Sequence, residues 1–178
     1  FCGFIIYNQS LSGSNTSLRT IHYAAAFFLA ILDLAIKWMV LERVRPGEEI
    51  SVIPGFFQLV LAKNTGVAFS LFSDGESSYR VALLTLVNLL GLALVLYIAR
   101  KITFPWKPAY FCLSLIMAGI LGNSIDRLIH GWVVDFLDVY LGAYHWPAFN
   151  LADSCITVGV VCLAVYELFF HREEEPVP

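Results

Sequence analysis

The sequence predicts a mainly α-helical, polytopic membrane protein, with four transmembrane helices and a small antiparallel β-element outside the bilayer. Three observations predict it. The 178 residues are 58% hydrophobic and only 14% charged, with a mean hydropathy of +0.73. A soluble domain is about half apolar and about a quarter charged. Four stretches approach the roughly 20 apolar residues that a spanning helix needs. Between the first two lies a segment rich in turn signals and β-formers.

The spans fall at about 23–41, 81–99, 109–129 and 149–170. The first is interrupted by Asp33 and Lys37, the second is the cleanest, the third turns polar at its end and the fourth is polar at its start. Backbone groups in lipid must be satisfied internally, which favours helices. The segment 42–80 holds Pro46-Gly47, Pro54-Gly55 and Asp74-Gly75, all turn signals. Its runs 56–61 and 67–72 are rich in β-branched and aromatic residues and read as antiparallel strands. The connection 130–148 reads as a short aromatic loop, with Trp132, Tyr140, Tyr144 and Trp146 at the membrane–water boundary.

Residues 1–20 are expected to form a mobile polar tail, 21–172 the membrane domain, and 173–178 a C-terminal tail. The apolar stretch 1–7 is too short to span, and no basic segment precedes it, which argues against a signal peptide. The chain opens on Phe1 rather than Met, as a fragment would. Cys2, Cys112, Cys155 and Cys162 show no C-x-x-C spacing. Three of them lie in apolar runs and are expected to pack as small hydrophobes, without a disulfide framework.

Orientation follows from basic residues in short connections. Arg100, Lys101 and Lys107 crowd the connection between the second and third spans, whereas 130–148 contains no Lys or Arg. Both termini are therefore expected in the cytoplasm, and 42–80 and 130–148 outside. Arg43, Arg45 and Lys63 run against this in 42–80, but five acidic residues share that segment. The net charge of −3, without a Lys/Arg-rich run, argues against a nucleic-acid partner.

Charges within spans are costly and mark function by default. In this topology Asp33, Lys37, Asn123, Asp126, Arg127, Asn150 and Asp153 all fall towards the outer face, with Asp135 in the outward loop beside them. Each has a plainer reading. Asp33 and Lys37, spaced i, i+4, form a structural ion pair. Asp126 and Arg127 anchor a helix end. Asn150 caps the fourth helix, with Asp153 favouring the positive end of its dipole. Asp138 reads as an interfacial loop charge. Asp135, an acid among Val133, Val134 and Phe136, has no such plain role.

No H-E-x-x-H or G-x-S-x-G is present, and His22, His130, His145 and His171 are scattered, so neither a metal nor a serine nucleophile is expected. Two acids remain. A close carboxylate pair shares one proton. Its ionised member can activate water while its protonated member polarises a carbonyl and protonates the leaving amine. Asp135 and Asp153 are the candidates. The alternative is a small proton- or cation-translocating protein, but a path needs polar groups across the whole bilayer depth.

Five segments resemble lipoprotein signal peptidase, the signal peptidase II family of aspartyl peptidases. They are Asp33…Lys37, Asn64-Thr65-Gly66-Val67-Ala68-Phe69, Gly122-Asn123-Ser124-Ile125-Asp126-Arg127, Gly131-Trp132-Val133-Val134-Asp135-Phe136 and Phe149-Asn150-Leu151-Ala152-Asp153-Ser154. The residues between Asp33 and Lys37, polar in the family, are apolar here. The resemblance implies a bacterial cytoplasmic membrane, a β-cradle at its outer face, and removal of signal peptides from diacylglyceryl-modified prolipoproteins just before the lipidated cysteine. It implies catalysis by Asp135 and Asp153, without cofactor or metal, and inhibition by globomycin-type cyclic peptides. Asn64, Gly66, Asn123, Arg127, Asn150 and Ala152 match positions that bind or support substrate, and Asp126 matches a supporting acid.

Overall fold

The structure is a computed structural model describing residues 2–66, 77–101 and 107–170. No proline precedes Pro46, and a single helix, α1, runs Cys2–Arg43. The stretch expected as a tail outside the helices is thus helical backbone from Cys2 onward, continuous with the first span. Proline cannot continue a helix, and α1 ends shortly before Pro46-Gly47.

The other helices are α2 (Ser77–Lys101), α3 (Lys107–His130) and α4 (Leu151–Phe170). Thr20–Arg43, Val81–Arg100 and Pro108–His130 are long and apolar enough to cross a membrane, and α4 contributes the shorter apolar stretch Leu151–Tyr166. The third span is the hub: most of its residues are buried, whereas most of those in the first and nearly all in the second are not. It packs against α1, α2 and α4, and the core between them includes Ala26, Val95, Leu113, Ile116, Met117 and Ile120. Helices in lipid associate through close approach at small residues. A Cβ at Gly159 would lie 2.7 Å from the Cys112 carbonyl, and one at Gly119 would collide with the Ala152 carbonyl. Cys112, Cys155 and Cys162 are free thiols.

The sheet differs from the one read in the sequence. Its strands are β1 (Ile50–Ile53), β2 (Phe57–Asn64), β3 (Val133–Leu141) and β4 (Tyr144–His145), in the order β1-β2-β3-β4. Strand β2 bears out the run at 56–61, with Gly55 at φ 79° in the preceding turn. The other proposed strand, 67–72, lies outside the described residues. The partner that β2 finds is β3, from the connection read as an aromatic loop. The pairing is antiparallel and aligns Ala62 with Asp135 and Asn64 with Val133. Nine residues rich in Val, Phe, Leu and Tyr suit a strand. Most of β3 is buried on both faces, so it lacks the alternation that usually marks one. Gly131, at φ 76°, ends α3, its N–H donating to the Arg127 carbonyl at 3.0 Å. This positive-φ stop turns the chain directly from α3 into β3.

Candidate active site

The polar ends of α3, β3 and α4 meet at one place. Asn150 precedes α4, and its Oδ1 accepts the Asp153 N–H at 2.8 Å while its own N–H donates to Asp153 Oδ2 at 3.2 Å. This reciprocal pair is a capping box, so the capping expected of Asn150 is present. The same asparagine also reaches outward. Its Nδ2 donates to Asp135 Oδ1 at 2.7 Å and lies 3.1 Å from Asn123 Oδ1. Phe149 pairs with Leu137 through two-way backbone bonds, which fixes Asn150 beside β3.

Asp135 and Asp153 are therefore joined through amides. Asn64, at the end of β2, donates from Nδ2 to Asp135 Oδ2 at 2.9 Å. Asn123 of α3 donates from Nδ2 to Asp153 Oδ1 at 2.7 Å. Every carboxylate oxygen of the pair accepts a hydrogen bond. Burial, followed by the nearby charge of Asp153, pushes the Asp135 carboxyl up to about 6, against the pull of the Asn64 and Asn150 amides. The Arg127 guanidinium is within electrostatic reach of Asp153, Asp135 and Asp126, and it donates to the Asn123 carbonyl at 3.4 Å.

A second, fully buried layer supports the first. Lys37 Nζ lies 2.7 Å from Asp33 Oδ2 and 2.9 Å from Asp126 Oδ2, and donates to Asn123 Oδ1 at 2.9 Å. The Asp33–Lys37 pair is thus part of a larger junction. Asp33 Oδ1 accepts the Ala152 N–H at 2.9 Å, and Asp126 Oδ2 accepts the Val134 N–H at 3.1 Å. Through these contacts α1 is tied to α3, α4 and β3. Gly122 makes room for it, since a Cβ there would lie 2.5 Å from Asp33 Oδ2 and 3.3 Å from the Ala152 methyl. Ala152 itself is buried in this packing. Gly66, at φ 83°, donates its N–H to Asn64 Oδ1 at 2.8 Å, and a Cβ there would strike Leu84.

Asp138 is not a loop charge. It is buried on β3, where its Oδ2 accepts Gln58 Nε2 at 2.8 Å and faces His145 Nδ1 at 2.8 Å, while Tyr140 stacks on His145. Gln58 and His145 were not singled out in the sequence. A lone glutamine inside the apolar run 56–61 was the available signal. Ser124 accepts Asn88 Nδ2 at 3.2 Å and links α2 to α3; Asn88, the lone polar amide in the middle of the second span, was the signal for this contact. Among the described residues, no three His, Cys, Asp or Glu side chains gather as a metal site.

The signal peptidase (SPase) II family profile matches residues 25–169. A lipoprotein signal peptidase of Francisella tularensis subsp. novicida (strain U112) is 40% identical over 151 residues, covering 83% of this chain and 93% of its own. One from Desulforapulum autotrophicum is 43% identical over 141 residues, covering 79% and 86%. Two solved bacterial membrane enzymes superpose with TM-scores of 0.73 and 0.75 at 28% and 29% identity, over 89% and 85% of this chain and 95% and 94% of theirs. Matched over most of its length, the chain belongs to the signal peptidase II family, lipoprotein-processing peptidases of the bacterial membrane.

Proposed function

We propose that the chain is an aspartyl endopeptidase that removes the signal peptide from diacylglyceryl-modified prolipoproteins, cutting before the lipidated cysteine. The observation that carries this is the amide-bridged pair Asp135 and Asp153, with the Asp135 carboxyl pushed up to about 6. A carboxyl raised so far keeps its proton nearer to neutrality. In this reading Asp135 brings the shared proton, polarises the scissile carbonyl and then protonates the leaving amine. Asp153, held by Asn123 and the Asn150 N–H, takes a proton from the attacking water. The two titrate as a unit, so the roles belong to the pair.

Asn64, Asn123, Asn150 and Arg127 orient the carboxylates and the peptide, and the strand ends beside Gly66 offer backbone for an extended substrate. The Lys37 junction with Asp33 and Asp126 holds the site's elements in register. In this reading the chain spans the membrane four times, with both termini in the cytoplasm and the sheet at the outer face; the basic residues Arg100, Lys101 and Lys107 support that orientation. A translocation path is disfavoured: the buried charges Asp33, Lys37 and Asp126 sit with Asn123 at one junction beside the pair. Globomycin-type peptides are expected to compete at this site.

The test is incubation of the purified protein with a lipidated prolipoprotein and detection of released signal peptide. Asp135→Asn and Asp153→Asn should each lower turnover by about 10²–10⁴-fold with membrane insertion retained. Near-wild-type turnover in either variant would remove that residue from the chemistry.

A further inference from the structure

The segment that delivers Asn150 runs back along β3 and changes register on the way. Tyr140 and Leu141 face His145 and Tyr144, and the Trp146 N–H donates to the Val139 carbonyl at 2.8 Å in the same register. Leu137, however, faces Phe149. Pro147 and Ala148 therefore stand against Asp138 alone, which is a β-bulge: two residues opposite one. Proline has no N–H to give to a ladder and is confined within sheets to edges and bulges. A bulge re-aims what comes after it. Here that is Asn150, whose Nδ2 donates to Asp135 Oδ1 at 2.7 Å and to the Val134 carbonyl at 3.3 Å.

A one-residue slip turns every side chain to the opposite face, so both sides of the bulge need pins. On the Asn150 side the pin is backbone: Phe149 and Leu137 exchange hydrogen bonds at 2.8 and 3.0 Å. On the other side it is largely side chain. Asp138 Oδ2 accepts Gln58 Nε2 from β2 and lies at the same 2.8 Å from His145 Nδ1. A carboxylate oxygen only accepts, so His145 Nδ1 carries the proton. The His145 ring stacks on Tyr140, and the Tyr140 hydroxyl accepts the Gly55 N–H at 3.1 Å. Asp138 Oδ1 is buried with no partner among the described residues. A buried acceptor left unmet weakens the fold, so stability alone is a poor reason for a carboxylate at the bulge.

We infer that His145, held by Asp138, is a positioning residue for the reaction: it locks the bulge at Pro147-Ala148 and thereby sets where Asn150 meets Asp135. The inference rests on the function proposed above. With the lock gone, Phe149 still ties the segment to β3, so Asn150 shifts rather than leaves. Its bond to Asp135 weakens. That bond favours the ionised carboxyl, so weakening it lifts Asp135 further above its ordinary range. The charges that face Asp135 stay in place: Asp153 of α4, Lys37 of α1 and Arg127 of α3.

The test compares His145→Phe, which keeps a ring over Tyr140 but loses the donor, with His145→Asn, which keeps a donor near the Nδ1 position. Using lipidated prolipoprotein, His145→Phe should lower kcat about fivefold with KM little changed, short of the roughly 100-fold that a 1 Å misplacement can cost. The alkaline limb of its pH profile should move up from about 6, by at most about one unit, the worth of one hydrogen bond to a charged group. A merely structural loss would leave that limb in place. His145→Asn should restore both kcat and limb. Adding Asp138→Ala to His145→Phe should lower kcat no further, because the two act through one contact. Hydrogen exchange reads the lock without turnover: the Trp146 and Phe149 amides should exchange faster in His145→Phe than in the wild type. Should His145→Phe fail to fold, Asp138→Ala alone removes the same contact and carries the comparison. An unmoved limb, a His145→Asn variant as impaired as His145→Phe, or unaltered exchange at Trp146 and Phe149 would overturn the lock. Absence of signal-peptide release by the wild type would instead overturn the peptidase reading, with hydrogen exchange still reporting on the lock.

Discussion

Replacing Lys37 by methionine removes the only cation at the junction of Asp33, Asp126 and Asn123 among the described residues. The ammonium has three protons, and three acceptors stand within 2.7–2.9 Å of it. Methionine keeps the length and the apolar stem but leaves two buried carboxylates facing each other. Asp33 retains the Ala152 N–H and Asp126 the Val134 N–H, so neither is stripped of all partners. Breaking a buried pair from one side typically costs about 3–5 kcal/mol. For a chain of this length each kcal/mol shifts Tm by about 2–4 °C, so a fall of about 10 °C is expected. Thermal unfolding in detergent measures it. Adding Asp33→Asn should recover part of the loss, because it removes one orphaned charge, and the double-variant cycle should be far from additive. Turnover below Tm should also fall, since Asn123, which holds Asp153, loses its Lys37 partner. Lys37→Met with an unchanged Tm, or strict additivity with Asp33→Asn, would refute the picture of a shared ionic junction.

Two further outcomes are expected. Asp138→Ala strands the Gln58 amide and the His145 ring, so it should cost about 1–3 kcal/mol in thermal unfolding, yet leave turnover at low temperature within about tenfold of wild type, below the general acid–base range. The pH profile of kcat/KM should fall on the alkaline side from about 6, because the raised Asp135 carboxyl loses the shared proton there. The same sign holds for folding: the contribution of a raised carboxyl is complete below its ordinary range and is lost as pH climbs through about 6. A flat profile from pH 5 to 8 would contradict the shared proton.

The helices were legible because length and apolarity decide spans directly, and little else can satisfy a backbone in lipid. The start of α1 was not, since apolarity begins only at about Thr20 while the helical backbone begins at Cys2. Asp33 and Lys37 were legible as neighbours through their spacing, but Asn123 and Asp126 lie 86 and 89 residues beyond Lys37 and could not be joined to it by any local rule. Asn150 shows how two readings of one residue can both hold. A capping asparagine uses its Oδ1 and backbone N–H on α4, which leaves its Nδ2 free to reach Asp135 and Asn123.

Strand β3 was the main miss, and its cause is physical. An outward segment between two spans, rich in aromatic rings, has the composition of an interfacial loop. A strand buried on both faces has no alternation to betray it. The two acids inside it looked like opposites in sequence, one unexplained and one solvated. In the fold both are buried, and they differ in partners: Asp138 faces Gln58 and His145, whereas Asp135 faces amides and a second carboxylate. Burial alone therefore does not mark the acid proposed to react. What distinguishes Asp135 is a like charge nearby with only neutral donors at hydrogen-bond distance, which is the setting that retains a proton.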